Sequence, residues 1–249
     1  MRKTVSKRIV FGACVLAFSG LVAAFFPSCS SDSDSSDYQC ATCHDTPDAL
    51  AANDAAVKGI YKGVVIGSSG TLYIDIQNDS NTVTATMVID GDTINLVSTV
   101  EVVEGEPYLA PFTGTYNGQP VSVTFSVQPG GANPTVVTSD IPGHPNADFV
   151  VVKENSDSLV EAFEGSYNDS DGETGTFNIL MARGTINAWG GISRDNATGE
   201  TDDISGTVNQ NNQLILDGVV VATVNGDELT GSFPDSDLST VTVEGFRTL

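Results

Sequence analysis

Cys40-Ala41-Thr42-Cys43-His44 is the stretch of this chain best equipped for chemistry, since it sets two thiols three positions apart with an imidazole beside the second. Two such thiols can add to the vinyl groups of a haem while the adjacent His44 ligates its iron, the spacing of the c-type haem attachment signature. The same thiols can close on each other as a disulfide, leaving His44 in solvent, which suits a chain that meets oxidising surroundings. Zinc held by Cys40, Cys43, His44 and His144 has suitable donor types, but nothing in the spacing brings His144 close. The disulfide is the expected reading and covalent haem c the alternative; no other cofactor and no metal are expected.

The elements around the motif favour the disulfide. A haem protein that resembles the small c-type cytochromes would follow the motif with wrapping helices and often a distal Met. Here Thr46-Pro47-Asp48 supplies an N-cap, a first-turn proline and a dipole-compatible acid, and the Ala-rich run to Ala56 predicts a short helix or turn leading into the sheet. Met87 and Met181 share strand faces with apolar neighbours and read as core.

Upstream, Arg2, Lys3, Lys7 and Arg8 precede an apolar run from Ile9 to Phe26 that is near the lower limit for spanning a bilayer. The run ends at Ser28-Cys29, followed at once by Ser and Asp residues. This resembles the leader of a bacterial lipoprotein, in which a Cys after a small residue is acylated and becomes the new N-terminus. Phe26 and Pro27 depart from the commoner residues at those places. The resemblance implies that Cys29 is the lipid anchor and that the membrane is a partner through it. The Ser-Ser-Asp-Ser-Asp tract resembles that of surface-exposed lipoproteins, which implies an outer-membrane, surface-exposed place in the cell envelope.

Residues 1–28 carry four basic and no acidic residues, so their removal leaves six Lys plus Arg against 32 Asp plus Glu, and the net charge moves from −22 to −26. Such a surface repels nucleic acid and anionic headgroups, so no nucleic-acid partner is expected. It also keeps an exposed β-rich body soluble.

From Val57 the apolar period is two. Leu72, Ile74 and Ile76 alternate with polar residues, as do Val83, Ala85, Met87 and Ile89, and Val121, Val123, Phe125 and Val127 make the clearest one-sided strand. Ile89-Asp90-Gly91-Asp92 predicts a tight hairpin. Further strands are predicted at Ile94–Val100, Tyr108–Tyr116, Thr135–Ser139, Asp148–Lys153, Thr174–Met181, Thr185–Ile192, Asp203–Asn209, Gln213–Val224, Glu228–Phe233 and Ser239–Phe246. The stretch from Val57 to Gly63 followed by Gly70 to Ile74 is echoed by Val160 to Gly165 followed by Gly175 to Ile179, which predicts two related halves. Ser158 and Glu161 are spaced as a capping box for one helical turn between them.

The expected fold class is all-β: antiparallel meanders closed as barrels or stacked as a sandwich, in two similar halves, with a short N-terminal helix after a flexible tether. The expected organisation is a leader over 1–28, an acylated acidic tether over 29–46, and halves over 47–154 and 155–249. The Gly-x-Tyr-x-Gly opening at Gly59 to Gly63 resembles those of lipocalin-like and other calycin-type barrels, which implies a cup-shaped site for a small-molecule or protein ligand.

Trp189 is the single tryptophan, flanked by Asn187, Gly190 and Gly191 with Arg194 close behind. With Ile186, Ala188 and Ile192 turned inward, Trp189 and Arg194 would line a ligand mouth; a bulge at the glycine pair would instead turn Trp189 into the core. Acidic turns at Asn168 to Glu173 and Asp195 to Asp203 invite calcium, although turn chemistry alone accounts for them. No Gly-x-Ser-x-Gly elbow, phosphate loop or His-Glu-x-x-His motif is present, and a non-enzyme is expected.

Overall fold

The computed structural model describes residues 38–66, 69–235 and 238–249. The leader, Cys29 and the beginning of the tether therefore lie outside the described residues. Among the described residues no helix is long and apolar enough to cross a membrane.

Alternating sequence produces strands almost throughout. The first half contains β1 (Gly59–Ile66), β2 (Gly70–Ile76), β3 (Val83–Ile89), β4 (Asp92–Val97), β5 (Tyr108–Tyr116), β6 (Gln119–Gln128), β7 (Ala132–Asp140) and β8 (Asp148–Lys153). The second contains β9 (Ser158–Asp169), β10 (Thr174–Gly184), β11 (Ala188–Asp195), β12 (Thr201–Val208), β13 (Gln213–Leu216), β14 (Val219–Asn225), β15 (Glu228–Pro234) and β16 (Thr240–Arg247). Each half is an antiparallel meander whose first strand pairs with both its second and its last. The second half closes fully into an eight-stranded barrel; the first is an eight-stranded sheet ordered β7-β6-β5-β4-β3-β2-β1-β8. At its seam β7 and β8 lie alongside each other, bridged where the Ser139 hydroxyl donates to the Ala147 carbonyl at 2.9 Å.

The echoed segments occupy matching places. Gly63 stands opposite Leu72 in the first half, and Gly165 opposite Phe177 in the second, the same pairs that align in sequence. The two halves are thus similar in topology and in the register of their opening hairpins.

The turns follow from composition. Asp90-Gly91, Asn117-Gly118 and Asp217-Gly218 each join two strands through two residues of positive φ, the type I′ geometry that matches strand twist. The third of these divides the expected strand Gln213–Val224 into β13 and β14.

Of the two helical expectations, one is met at its shortest and the other fails. The short helix or turn expected after Thr46 is a single 3₁₀ turn at Ala51–Asn53. Its one large apolar residue, Leu50, is exposed, so there is no apolar stripe whose burial would hold a longer helix. The supposed capping box at Ser158 lies at the start of β9. Six consecutive residues there, Ser158 to Phe163, are buried, because β9 is at once barrel wall and contact with the other half. Burial on both faces erases the alternation that marks a strand in sequence.

The halves pack through the outer faces of β1, β9 and β10, where Val64, Val160, Ala162 and Leu180 form a small shared core. Glu154, fully buried, ties this region together. One carboxylate oxygen accepts from Lys62 Nζ at 2.6 Å and from the Val160 amide at 3.0 Å. The other accepts from the amides of Asp48 and Ala49 at 2.7 and 3.3 Å. A buried ion pair with every partner supplied avoids the desolvation cost that either charge alone would carry.

Candidate functional site

The chain entering from the tether is held against the second barrel. Cys40 and Cys43 form a disulfide, so both sulfurs are bonded to each other. The Cys40 amide donates to Asp227 Oδ2 at 2.7 Å, and the Tyr38 hydroxyl donates to the Arg247 carbonyl at 2.9 Å. Arg247, nearly buried, donates through its guanidinium to the His44 carbonyl and lies within ion-pair distance of Asp45, Asp227 and Glu161. Glu161, fully buried, is also gripped by Arg183 through two bonds of 2.6 Å. The part of the expected tether from Tyr38 to Thr46 is therefore docked, because buried charges at the end of β16 need its backbone partners.

His44 is exposed and its Nδ1 lies 2.5 Å from Asp48 Oδ1. His144 lies in the loop between β7 and β8, beside Asp90 and the Tyr116 ring. The donors considered for zinc are not brought together, and among the described residues no three His, Cys, Asp or Glu side chains are grouped as a metal ion would require.

The strand directions give the second barrel two ends. The turns after β10, β12 and β14 lie at one end, with the docked segment against the last of them; the turns after β9, β11, β13 and β15 lie at the other. At this second end the barrel opens into a cavity of about 230 Å³. Asp169, Glu173, Ser193, Asp202 and Asp235 stand around the opening, and Phe177, Ile204, Leu216, Val221, Phe233 and Val243 form the wall below.

Trp189 belongs to the deep part of this wall. It is 6% exposed, and its Nε1 donates to the Ile215 carbonyl at 3.3 Å. No bulge was needed to turn it inward: the β10–β11 ladder runs unbroken from Gly175 opposite Asp195 to Ala182 opposite Ala188. The inward set on β11 is Trp189, Gly191 and Ser193, and Ala188 is exposed. Arg194 follows on the outward face, exposed beside Gly199, and does not line the opening. Four residue steps along the strand take Trp189 to Ser193 at the rim, about 13 Å of tilted strand and so a depth of roughly 10 Å.

The hollow has a local cause. Inward positions on several strands are glycine, and aromatic rings lie flat on them. A Cβ on Gly165 would stand 2.4 Å from Phe177 Cζ, one on Gly175 2.3 Å from Tyr167, and one on Gly206 2.7 Å from Trp189 Nε1. Rings laid along the wall cover backbone without filling the centre.

No family model, curated protein or solved structure matches this chain.

The electrostatics of the opening are one-sided. Among the described residues the lining includes four carboxylates and no Lys, Arg or His. Tyr167 donates its hydroxyl to Glu173 at 3.2 Å. Burial, with the Glu173 charge adding to it, pushes the Tyr167 phenol up to about 12. Asp169 accepts from the Ser239 hydroxyl and from the Asp171 amide, which fixes its carboxylate at the rim. Of Trp189 and Arg194, the pair expected at a ligand mouth, Trp189 reaches the cup and Arg194 does not. The acidic rim of the cup was visible as the two turns read for calcium, which contribute Asp169, Glu173 and Asp202. The aromatic wall gave no signal, since Tyr167, Phe177 and Phe233 read as ordinary strand residues.

Proposed function

We propose that this protein is a lipid-anchored, non-catalytic binding protein of the bacterial cell envelope, acylated at Cys29 and exposed at the outer membrane, whose second barrel receives a small ligand with an apolar body. The observation that carries the reading is the open, aromatic-walled cup around Trp189 inside an otherwise closed barrel. An apolar hollow with a few polar groups at its edge is the common form of a small-molecule site, and it agrees with the cup that a lipocalin-like barrel implies. Its volume exceeds the ~150 Å³ of an apolar cavity known to admit benzene, so one ring with a short substituent fits.

The anchor suits this arrangement. The chain reaches the body at the end of the second barrel opposite the opening. The twelve residues of β9 rise roughly 30 Å along a tilted barrel axis between those ends. A membrane-bound Cys29 would thus leave the cup facing away from the bilayer.

The only tryptophan of the chain lines the cup, which makes its fluorescence a local reporter. Titration with toluene is expected to give a saturable change in Trp189 emission that Ala222→Phe weakens roughly tenfold, a loss of about 1.4 kcal/mol. A linear, unsaturable response identical in both proteins would remove the binding reading. The anchor is tested separately: Cys29→Ala is expected to release the protein from the membrane fraction, and unchanged fractionation would exclude acylation there.

A further inference from the structure

We infer that the cup selects a small organic cation, an ammonium group carried on an apolar, ring-sized body. This rests on the binding reading above and adds the charge class of the ligand.

The cavity is the site, and its composition supplies the class. Below the rim the wall is apolar and contains the rings of Tyr167, Phe177, Trp189 and Phe233. Aromatic faces attract a cation and tolerate a neutral ring, but they offer nothing to an anion. At the rim Asp169, Glu173, Asp202 and Asp235 stand around one opening, with no Lys, Arg or His among the described lining residues. Their like charges give the opening a negative potential that favours an ammonium group there. The body as a whole is strongly acidic, which concentrates cations at the opening and depletes anions.

The depth fits the division of labour. With roughly 10 Å of depth from Trp189 to Ser193 along the tilted strand, a ring reaches the floor while a two-carbon arm returns its charged end to the carboxylates. A bare divalent ion would not use the apolar volume, and among the described residues no metal-holding group of acids is present.

The test uses the full chain and three probes of one shape: phenethylamine, phenethyl alcohol and 3-phenylpropanoate, each titrated against Trp189 emission at pH 7. The amine is expected to bind roughly tenfold more tightly than the alcohol, as a few partly exposed charge contacts would give, and the carboxylate is expected to bind weakest. Added salt and the variant Asp202→Asn/Asp235→Asn are expected to reduce the affinity ratio of amine to alcohol to within about twofold. Saturable binding of amine and alcohol with equal affinity, or tighter binding of the carboxylate, would overturn the cation assignment and leave the cup intact. An amine preference untouched by the double variant would also overturn it. Absence of saturable binding by all three probes would remove the cup reading and this inference together.

Discussion

The two barrel-like halves, the second closed by a full ladder and the first closed without one between β7 and β8, share a topology and differ in what fills them. In the first, Tyr61, Leu72, Ile74, Ile76, Met87, Ile89, Phe112 and Phe125 are at most 1% exposed, and the rings of Tyr61 and Phe112 meet Phe125 edge-on. One end is stoppered by the segment around Asn53, whose carbonyl takes a 2.7 Å bond from Lys153 Nζ. In the second, aromatic rings lie on glycines along the wall and the turns at the open end are short. Equal strand number therefore does not decide whether a barrel is solid; the side-chain volume at inward positions does.

The comparison can be broken most forcefully by removing a ring from each interior. Phe125→Ala in the first barrel leaves a void among fixed neighbours and is expected to cost ~3–5 kcal/mol in denaturant unfolding. Phe233→Ala, whose ring already borders the cup, is expected to cost less than half of that. Equal losses would mean that the second interior is as tightly packed as the first.

Adding volume should separate the barrels in sign. Ala110 is fully buried in the first core, and Ala110→Leu is expected to destabilise by ~1–3 kcal/mol through overpacking. Ala222 faces the cavity, so Ala222→Leu is expected to be neutral or stabilising by about 1 kcal/mol. A destabilised Ala222→Leu, seen as a lower denaturation midpoint, would argue that the cup is closed in solution.

The smallest expected effect lies between the barrels. Burial pushes the Glu164 carboxyl up, partly offset by a hydrogen bond from the Gly70 amide. A carboxyl raised on folding favours the folded state when protonated. Its contribution is therefore present below the unfolded carboxylate range and lost as pH rises through the elevated folded value. Stability of the wild type is expected to fall across that mildly acidic window relative to Glu164→Gln. Parallel pH profiles for the two proteins would show that Glu164 is hydrated when the barrels are packed.

Much of the fold was legible along the chain. Leu72, Ile74 and Ile76, and Val121 to Val127, declared their buried faces by alternation, and Asp90-Gly91 declared its turn. Where a strand was buried on both sides, as at Ser158 to Phe163, alternation vanished and a helix was expected in its place. At Trp189 the sequence was read either with Ile186, Ala188 and Ile192 inward or with a bulge at Gly190-Gly191 turning the tryptophan to the core, and the unbroken ladder reaches the inward placement without the bulge. The site was less legible still: its acids appeared only as turn residues, and its wall as glycines and aromatics scattered over separate strands.

Local patterning by itself determined that this is an all-β chain of two related halves, with a Cys-x-x-Cys pair suited to a disulfide. It could do so because backbone pleat, turn geometry and thiol reach act over a few residues. Which barrel is hollow, that Trp189 lies in its wall, that Arg194 faces outward and that four carboxylates share one opening were settled only by tertiary structure. Those facts depend on register across strands far apart in sequence, and a shift of one residue would send each side chain to the opposite face.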